Sequence, residues 1–127
     1  MTVAQYFQEI IHALILSPSI SHYRVLSQRI SDEEGYLRVR GTLTNGDMIE
    51  GYEYTERFQN RIEVVAYSFH QQTQKGQLVR RWDNTTHHKE VRTFPHHLHR
   101  ADGCVVESIP MDFNRFLSAL EEITPSS

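Results

Sequence analysis

The residues with the clearest chemical potential are histidines crowded into one short segment. The chain has eight histidines, and five of them lie between positions 87 and 99. Imidazole changes its charge near neutral pH, so two rings flanking a phosphodiester can take a proton from an RNA 2′-hydroxyl and return one to the leaving 5′ oxygen. The segment therefore predicts acid–base chemistry, with the candidates His87, His88, His96, His97 and His99.

Charged and aromatic side chains nearby complete a possible phosphodiester site. Arg81, helped by Arg80 or Arg100, is a candidate for stabilising negative charge on the phosphoryl oxygens. Asp83 is a candidate for orienting a histidine by accepting its second ring N–H. Further substrate-binding candidates are two aromatic side chains for base stacking and two polar residues, namely Trp82, Phe94, Asn84 and His70. We expect the five histidines, Arg81 and Asp83 to converge in one pocket.

The charge distribution singles out the same part of the chain. Residues 70–100 carry six basic and two acidic groups, although the whole chain has a net charge of −3. This balance excludes a uniformly basic coat for nucleic acid but leaves one local positive block.

The cysteine count and the histidine spacing bear on metal binding. The single cysteine, Cys104, excludes an internal disulfide framework and a cysteine-rich zinc site, and its apolar neighbours predict a small, buried residue. Adjacent residues on an extended segment point to opposite faces, so His96 and His97 cannot easily share an ion, whereas His97 and His99 could. The primary expectation is a site without metal or another cofactor.

Hydrophobic periodicity predicts the elements that must position these groups. A helix is predicted by helical spacing from Phe7 to Ile15, by a capping box of Thr2 and Gln5, and by a stop at Ser17-Pro18. Strand patterns follow, with a hairpin and a type I′ turn at Asn45-Gly46. The predicted strand regions are Ile20 to Ile30, Tyr36 to Thr55, Arg61 to Gln71 and Leu78 to Asp83.

The end of the chain predicts a loop and a second helix. Residues 84–103 show no sustained period, which indicates an ordered functional loop or very short strands. A C-terminal amphipathic helix is predicted from Phe113, Phe116, Leu117 and Leu120. We therefore expect one α+β domain over residues 1–127, with about five antiparallel strands, two helices on one face and the other face free for a ligand.

Three motifs in this order form a recognisable pattern: Arg81-Trp82-Asp83-Asn84, His87-His88, and Phe94-Pro95-His96-His97-Leu98-His99. The pattern resembles the TumE family of toxins from prokaryotic toxin–antitoxin pairs, and the resemblance extends to Glu34–Arg38 and to Tyr67–His70. Two positions depart from it, since the family often has Tyr at Trp82 and a basic residue at Leu98. The resemblance implies a toxin that acts on RNA and is neutralised by a helix-turn-helix antitoxin.

Three functions remain open on the sequence alone. The leading hypothesis is a metal-independent endoribonuclease toxin. The alternatives are a metal-dependent phosphodiesterase or nuclease, and a non-enzymatic module that binds RNA or the antitoxin.

No apolar run approaches the roughly 20 residues that a membrane span requires. We therefore expect a cytoplasmic protein without membrane contact, which could form a homo-oligomer.

Overall fold

The protein is an antiparallel sheet with two helices packed against one side of it. The computed structural model describes residues 1–123. Its helices are α1 (Val3–Leu16) and α2 (Phe113–Ile123). Its strands follow one another as neighbours in chain order: β1 (Ile20–Ile30), β2 (Glu34–Leu43), β3 (Met48–Phe58), β4 (Arg61–Gln72), β5 (Leu78–Asp83), β6 (His97–Arg100) and β7 (Val105–Glu107).

The α+β class and the helix at each end are confirmed, but the sheet has seven strands instead of about five. The two additional strands, β6 and β7, lie in or directly after the region predicted as an ordered loop or very short strands, and β6 is a strand of the second kind. They have four and three residues, which is too short for an alternating pattern to show. Pairing with β5 stabilises them as strands, and sequence periodicity does not register that pairing.

Helix α1 forms as its sequence predicts. The Thr2 side chain accepts a hydrogen bond from the Gln5 backbone N–H at 3.0 Å, and the Gln5 side chain accepts one from the Thr2 backbone at 2.8 Å. The helix ends at Leu16, with Ser17 extended before the proline. Its buried stripe faces the sheet and comprises Val3, Phe7, Ile10 and Leu14.

The predicted hairpin between β2 and β3 is confirmed, but its turn is not type I′. A type I′ turn needs positive φ at both central residues. Only Gly46 has it (φ 93°); Asn45 is not among the positive-φ residues of the described chain. The Gly46 N–H bonds to the Leu43 carbonyl, and the Leu43 N–H bonds to the Asp47 carbonyl, which closes a three-residue loop. Such loops place glycine in the left-handed position directly before the returning strand.

The core lies between the helices and one face of the sheet, called the helix face below. Phe69 on β4 stacks on Phe116 of α2, with ring centroids 5.0 Å apart, and meets Phe113 edge-on at 5.1 Å. Gly51 on β3 permits this approach, because a Cβ atom there would lie 2.7 Å from Phe113. The helices therefore occupy the helix face tightly.

The opposite side of the sheet carries polar side chains and is called the open face below. The antiparallel register aligns one open-face residue from each of five strands in a row: Arg38, Tyr52, Ser68, Asp83 and His97. A neighbouring row contains Arg40, Glu50, His70, Arg81 and His99. The open face thus brings residues from distant parts of the chain onto one surface.

Cys104 corrects one expectation. It is exposed in the β6–β7 connection rather than buried. Its apolar neighbours belong to β7, a short edge strand that is only partly covered.

Among residues 1–123, neither helix is long and apolar enough to cross a membrane.

Candidate functional site

Three histidines meet on the open face where β5 ends and β6 begins. His97 and His99 are on the same side of β6 because they are two residues apart, and they pair in register with Asp83 and Arg81 of β5. His88 reaches the same place from the β5–β6 connection. The ring centroids lie 5.1 Å apart for His88 and His97, 5.4 Å for His88 and His99, and 4.9 Å for His97 and His99. We call these three residues the histidine cluster.

The loop backbone turns His88 into the cluster. His88 has φ 60°, a left-handed conformation in which histidine is more often found than most non-glycine residues. Its carbonyl accepts a hydrogen bond from the Val91 N–H at 3.2 Å, and its Nδ1 lies 3.2 Å from Glu90 Oε1. His87, directly before it, is exposed.

Asp83 is the buried anion beneath the cluster, with only 5% of its side chain exposed. Its Oδ1 lies 2.8 Å from His97 Nε2 and its Oδ2 3.5 Å from His99 Nε2. Arg81 Nε and both the backbone N–H and hydroxyl of Thr85 donate hydrogen bonds to it. Burial by itself raises the pKa of Asp83, but the bonds from Thr85 and Arg81 and the charge of His97 outweigh burial and lower this pKa.

His97 is held rigidly, being 1% exposed. Its Nδ1 lies 2.9 Å from the Pro95 carbonyl oxygen, and because a carbonyl only accepts, this nitrogen carries the proton. The other ring nitrogen, Nε2, is buried, points into the cluster and has no aligned hydrogen-bond partner in the described structure, although it lies close to Asp83.

His99 has a different environment from an exposed histidine. Burial lowers its pKa; the charge of Asp83 opposes that effect, and the neighbouring His97, His88 and Arg81 add to it. His99 is therefore disposed to be neutral, with a ring nitrogen able to accept a proton.

The cluster also has the shape of a metal site. One ligand nitrogen from each of His88, His97 and His99 can be chosen so that all three lie within 4.8 Å of one another. Histidines that bind metals usually donate the other ring N–H to a carbonyl or a carboxylate, and the contacts to Pro95 and Glu90 have this form.

The convergence expected from the sequence is only partly correct. His88, His97, His99, Arg81 and Asp83 come together, whereas His87 points to solvent and His96 lies on the other side of the sheet. His96 Nδ1 is 2.9 Å from the hydroxyl of the buried Tyr67, and the two rings are parallel within 8°. The alternation of neighbouring residues across an extended backbone separates His96 from His97.

Three of the proposed substrate-binding residues face away from the cluster. Trp82 is 7% exposed and packs edge-on against Phe116, so it cannot stack on a base. Arg80 donates to Gln71 and to the Ala119 carbonyl of α2, and covers the Trp82 ring. Arg100 is exposed and forms an ion pair with Asp102 at 2.9 Å. These residues alternate with Arg81, Asp83 and His99 along β5 and β6, and alternate positions face opposite sides.

The other three proposed substrate-binding residues differ in their surroundings. Asn84 has a structural part, since its side chain donates to the Val65 carbonyl and accepts from the Tyr67 N–H. Phe94 remains exposed enough to contact a ligand, at 39%. His70 lies on the open face in register with Arg81. Leu98, where the sequence departs from the family pattern, lies between His97 and His99 in the chain. Its side chain packs towards the core, so a phosphate contact is not expected there.

Sequence reasoning missed a groove that adjoins the cluster. It has a volume of about 460 Å³, and its walls include Arg38, Arg40, Glu50, Ser68, His70 and Arg81. Arg38 and Arg40 both bind Glu50, at 3.0 and 2.9 Å. The alternation of arginine with apolar residues along β2 was a signal for an exposed basic row, but only the sheet register shows that it reaches the histidines.

The family comparison agrees with the motifs. The model of the toxin TumE family matches residues 8–124, nearly the whole chain. Searches of the curated proteins and of the solved structures found no match. The chain belongs to the TumE toxin family, which confirms the resemblance seen in the sequence.

Proposed function

We propose that this toxin cleaves RNA at the histidine cluster by metal-independent acid–base catalysis. One observation carries the proposal: three imidazoles lie together, two of them next to a buried carboxylate, beside an arginine and at the end of a groove lined by further basic groups. This arrangement supplies proton acceptors, a proton donor and a cation for phosphoryl oxygens on one accessible surface.

In the proposed reaction, one cluster histidine removes the proton from a 2′-hydroxyl. The 2′ oxygen then forms a bond to phosphorus, and the bond from phosphorus to the 5′ oxygen breaks. A second histidine gives its proton to that leaving oxygen, so the products are a 2′,3′-cyclic phosphate and a 5′-hydroxyl. Arg81 is placed to stabilise the charge on the phosphoryl oxygens, and Asp83 positions His97.

The neighbouring pair His87 and His88 provides a matched test. His88→Asn keeps a residue that tolerates positive φ but removes the imidazole. We expect it to abolish growth arrest and to lower the cleavage rate by about 100-fold, in line with the loss of one acid–base group. His87→Asn changes an exposed residue next to it and should leave both unchanged. Equal activity of the two variants, each shown to be folded, would contradict the proposal.

A metal site is the basis of a second candidate mechanism, favoured by the close spacing of the three ligand nitrogens and by the Nε2 of His97, which points into the cluster without an aligned hydrogen bond although it lies 2.8 Å from Asp83. In that mechanism the cluster would hold a divalent transition metal that polarises the phosphate or activates water. Product ends and metal dependence distinguish the mechanisms. Activity that survives chelation and dialysis and yields cyclic phosphates supports acid–base catalysis. Activity lost on chelation, restored by Zn²⁺ and yielding 3′-hydroxyl ends supports the metal.

The family membership also implies an antitoxin partner. We propose that this partner is a helix-turn-helix protein whose acidic residues cover those basic groups of residues 70–100 that lie beside the cluster. A short polyanionic RNA should then displace the antitoxin from the toxin. Simultaneous binding of RNA and antitoxin, without mutual weakening, would show that neutralisation occurs elsewhere. If the toxin only binds RNA and is not an enzyme, the His88→Asn variant should bind RNA as well as the wild type does, and the wild type should not cleave RNA.

A further inference from the structure

We infer that the groove beside the cluster binds the nucleotides of single-stranded RNA next to the scissile phosphate. This inference rests on the proposed function, since it takes RNA as the ligand. It adds a binding site formed by β2, β3 and β4, which lie far from the histidine motifs in the sequence. The groove adjoins the cluster directly, because Arg81 lines the groove and also bonds to Asp83.

The basic groups of the groove are fixed in position. Arg38 and Arg40 both bind the carboxylate of Glu50, so the two guanidinium groups are held side by side with one net positive charge. Burial tends to raise the pKa of Glu50, but bonds from Arg40 and Arg38 lower it, which keeps the carboxylate ionised. Guanidinium groups that are already ordered suit phosphate, because they present planar N–H donors at low entropic cost.

An aromatic surface lies in the same row as the cluster. Tyr52 pairs with Arg38 on one side and Ser68 on the other, and the row continues to Asp83 and His97. Tyr52 lies beside the groove and is not one of its walls. The Arg38 guanidinium covers one face of the Tyr52 ring, 4.5 Å from its centre, and the ring centroids of Tyr36 and Tyr52 are 6.3 Å apart, so a base would stack on the ring face that Arg38 leaves open. Tyrosine faces bind unpaired bases by stacking with little sequence preference.

The dimensions suit a single strand that continues past the reacting phosphate. Tyr52 on β3 and His97 on β6 are three strands apart, or about 14 Å at the usual strand separation. More than one nucleotide must span that distance. A strand lying on this path would place phosphates at the arginines and bases towards Tyr52.

The test measures binding of a short fluorescein-labelled 2′-O-methyl RNA of mixed sequence to the full chain by anisotropy, over a series of salt concentrations. The 2′-O-methyl group blocks the proposed nucleophile, and a gel after the measurement checks that the probe is intact. Arg38→Gln and Arg40→Gln should each weaken binding and reduce the slope of log affinity against log salt by about 0.7, the value for one lost phosphate contact with a single strand. Tyr52→Leu should weaken binding by at least about fivefold without changing the slope.

Arg61→Gln is the matched control. Arg61 is a 73% exposed arginine that forms an ion pair with Glu63, as the groove arginines do with Glu50. It lies about 20 Å along β4 from Ser68. Its substitution should change neither affinity nor slope.

The outcomes separate this site from the proposed catalysis. Probe binding that depends on Arg38, Arg40 and Tyr52 without any RNA cleavage would leave the binding site in place and remove the nuclease. Cleavage that depends on His88, with groove variants that bind like the wild type, would keep the nuclease and overturn the site. Tighter binding of a glutamate-rich peptide than of the probe, lost in the same variants, would make the groove a protein-docking surface and also overturn it.

Discussion

Two buried carboxylates, one on each face of the sheet, show how differently this fold uses the same chemical group. Glu53 on the helix face is fully buried; it accepts hydrogen bonds from the Tyr6 hydroxyl and, at 3.0 Å, from the Phe113 N–H that begins α2. Asp83 on the open face is 3% exposed but adjoins Arg81, His97 and His99.

The surroundings push the two acids in opposite directions. Burial raises the pKa of Glu53 to about 7, although the bonds from Tyr6 and Phe113 oppose that effect. For Asp83, hydrogen bonds from Thr85 and Arg81 and the charge of His97 overcome burial and lower the pKa. Glu53 therefore ties α1 and α2 to the sheet at a cost when it ionises, whereas Asp83 is kept as an anion for the cluster.

Of the changes that compare the two faces, removing the charge of Asp83 should have the largest effect on function. Asp83→Asn retains the size of the side chain but removes the anion that positions the histidines, and we expect RNA cleavage to fall by about 10–100-fold. Asp102→Asn, at an exposed carboxylate paired with Arg100, is the control and should cleave normally. Normal cleavage by a folded Asp83→Asn protein would place the chemistry away from this carboxylate.

Changing Glu53 should affect stability and its pH dependence instead. Its raised folded-state pKa means that the native state binds more protons than the unfolded state between about pH 4.5 and 7, so stability from this group is present at low pH and lost as the pH rises through that window. The difference is on the order of 3 kcal/mol. Glu53→Gln imitates the protonated acid, with an oxygen for the Phe113 N–H and an amide N–H for Tyr6.

We expect Glu53→Gln to be more stable than the wild type at pH 8 and about equal at pH 4.5, as measured by urea unfolding. Its cleavage activity should be unchanged, because Glu53 is on the helix face. If the free energy of unfolding changes with pH between 4.5 and 7 in the same way in both proteins, the pKa of Glu53 is not raised in the folded state.

His96 and His97 are adjacent in the sequence but lie on opposite sides of the sheet, so a change at His96 tests the difference between the two faces. His96→Ala removes the contact with the Tyr67 hydroxyl and should cost about 1 kcal/mol in the free energy of unfolding. Cleavage at saturating RNA should change by less than about twofold, since the residue does not reach the cluster. A loss of cleavage as large as that of His88→Asn, with the fold intact, would return His96 to the site.

The smallest effect is expected at Thr85, which donates to Asp83 through its hydroxyl at 2.9 Å and its N–H at 3.2 Å. Thr85→Val removes only the hydroxyl, so Asp83 keeps its other donors. Because Thr85 is exposed, we expect stability to fall by only about 0.5 kcal/mol and cleavage to change by less than about twofold. Thr86→Val, at the exposed next residue, is the control for both measurements.

Local sequence signals were sufficient to predict the helices and the long strands. The capping box at Thr2 and the periodic apolar residues of α1 predicted that helix, and alternation predicted the long strands. The turn at Asn45-Gly46 was located correctly but given the wrong type, because the same dipeptide also fits a longer loop in which only glycine has positive φ. Very short strands were left open for residues 84–103, where β6 lies, but neither β6 nor β7 was located, because their stability comes from pairing with β5 and with each other.

The sequence by itself determined which family the chain resembles and where its candidate residues lie: an uneven, histidine-rich basic segment, the TumE pattern, and the alternation that must send His96 and His97 to opposite sides. Only the tertiary structure decided which of these residues meet. Motif membership does not record the side of a strand, so Trp82 and His96 belong to the motifs, and Arg80 directly precedes one, but all three lie away from the cluster. The connection between the groove of Arg38 and Arg40 and the histidine cluster depended on register across five strands, a long-range property that no local pattern contains.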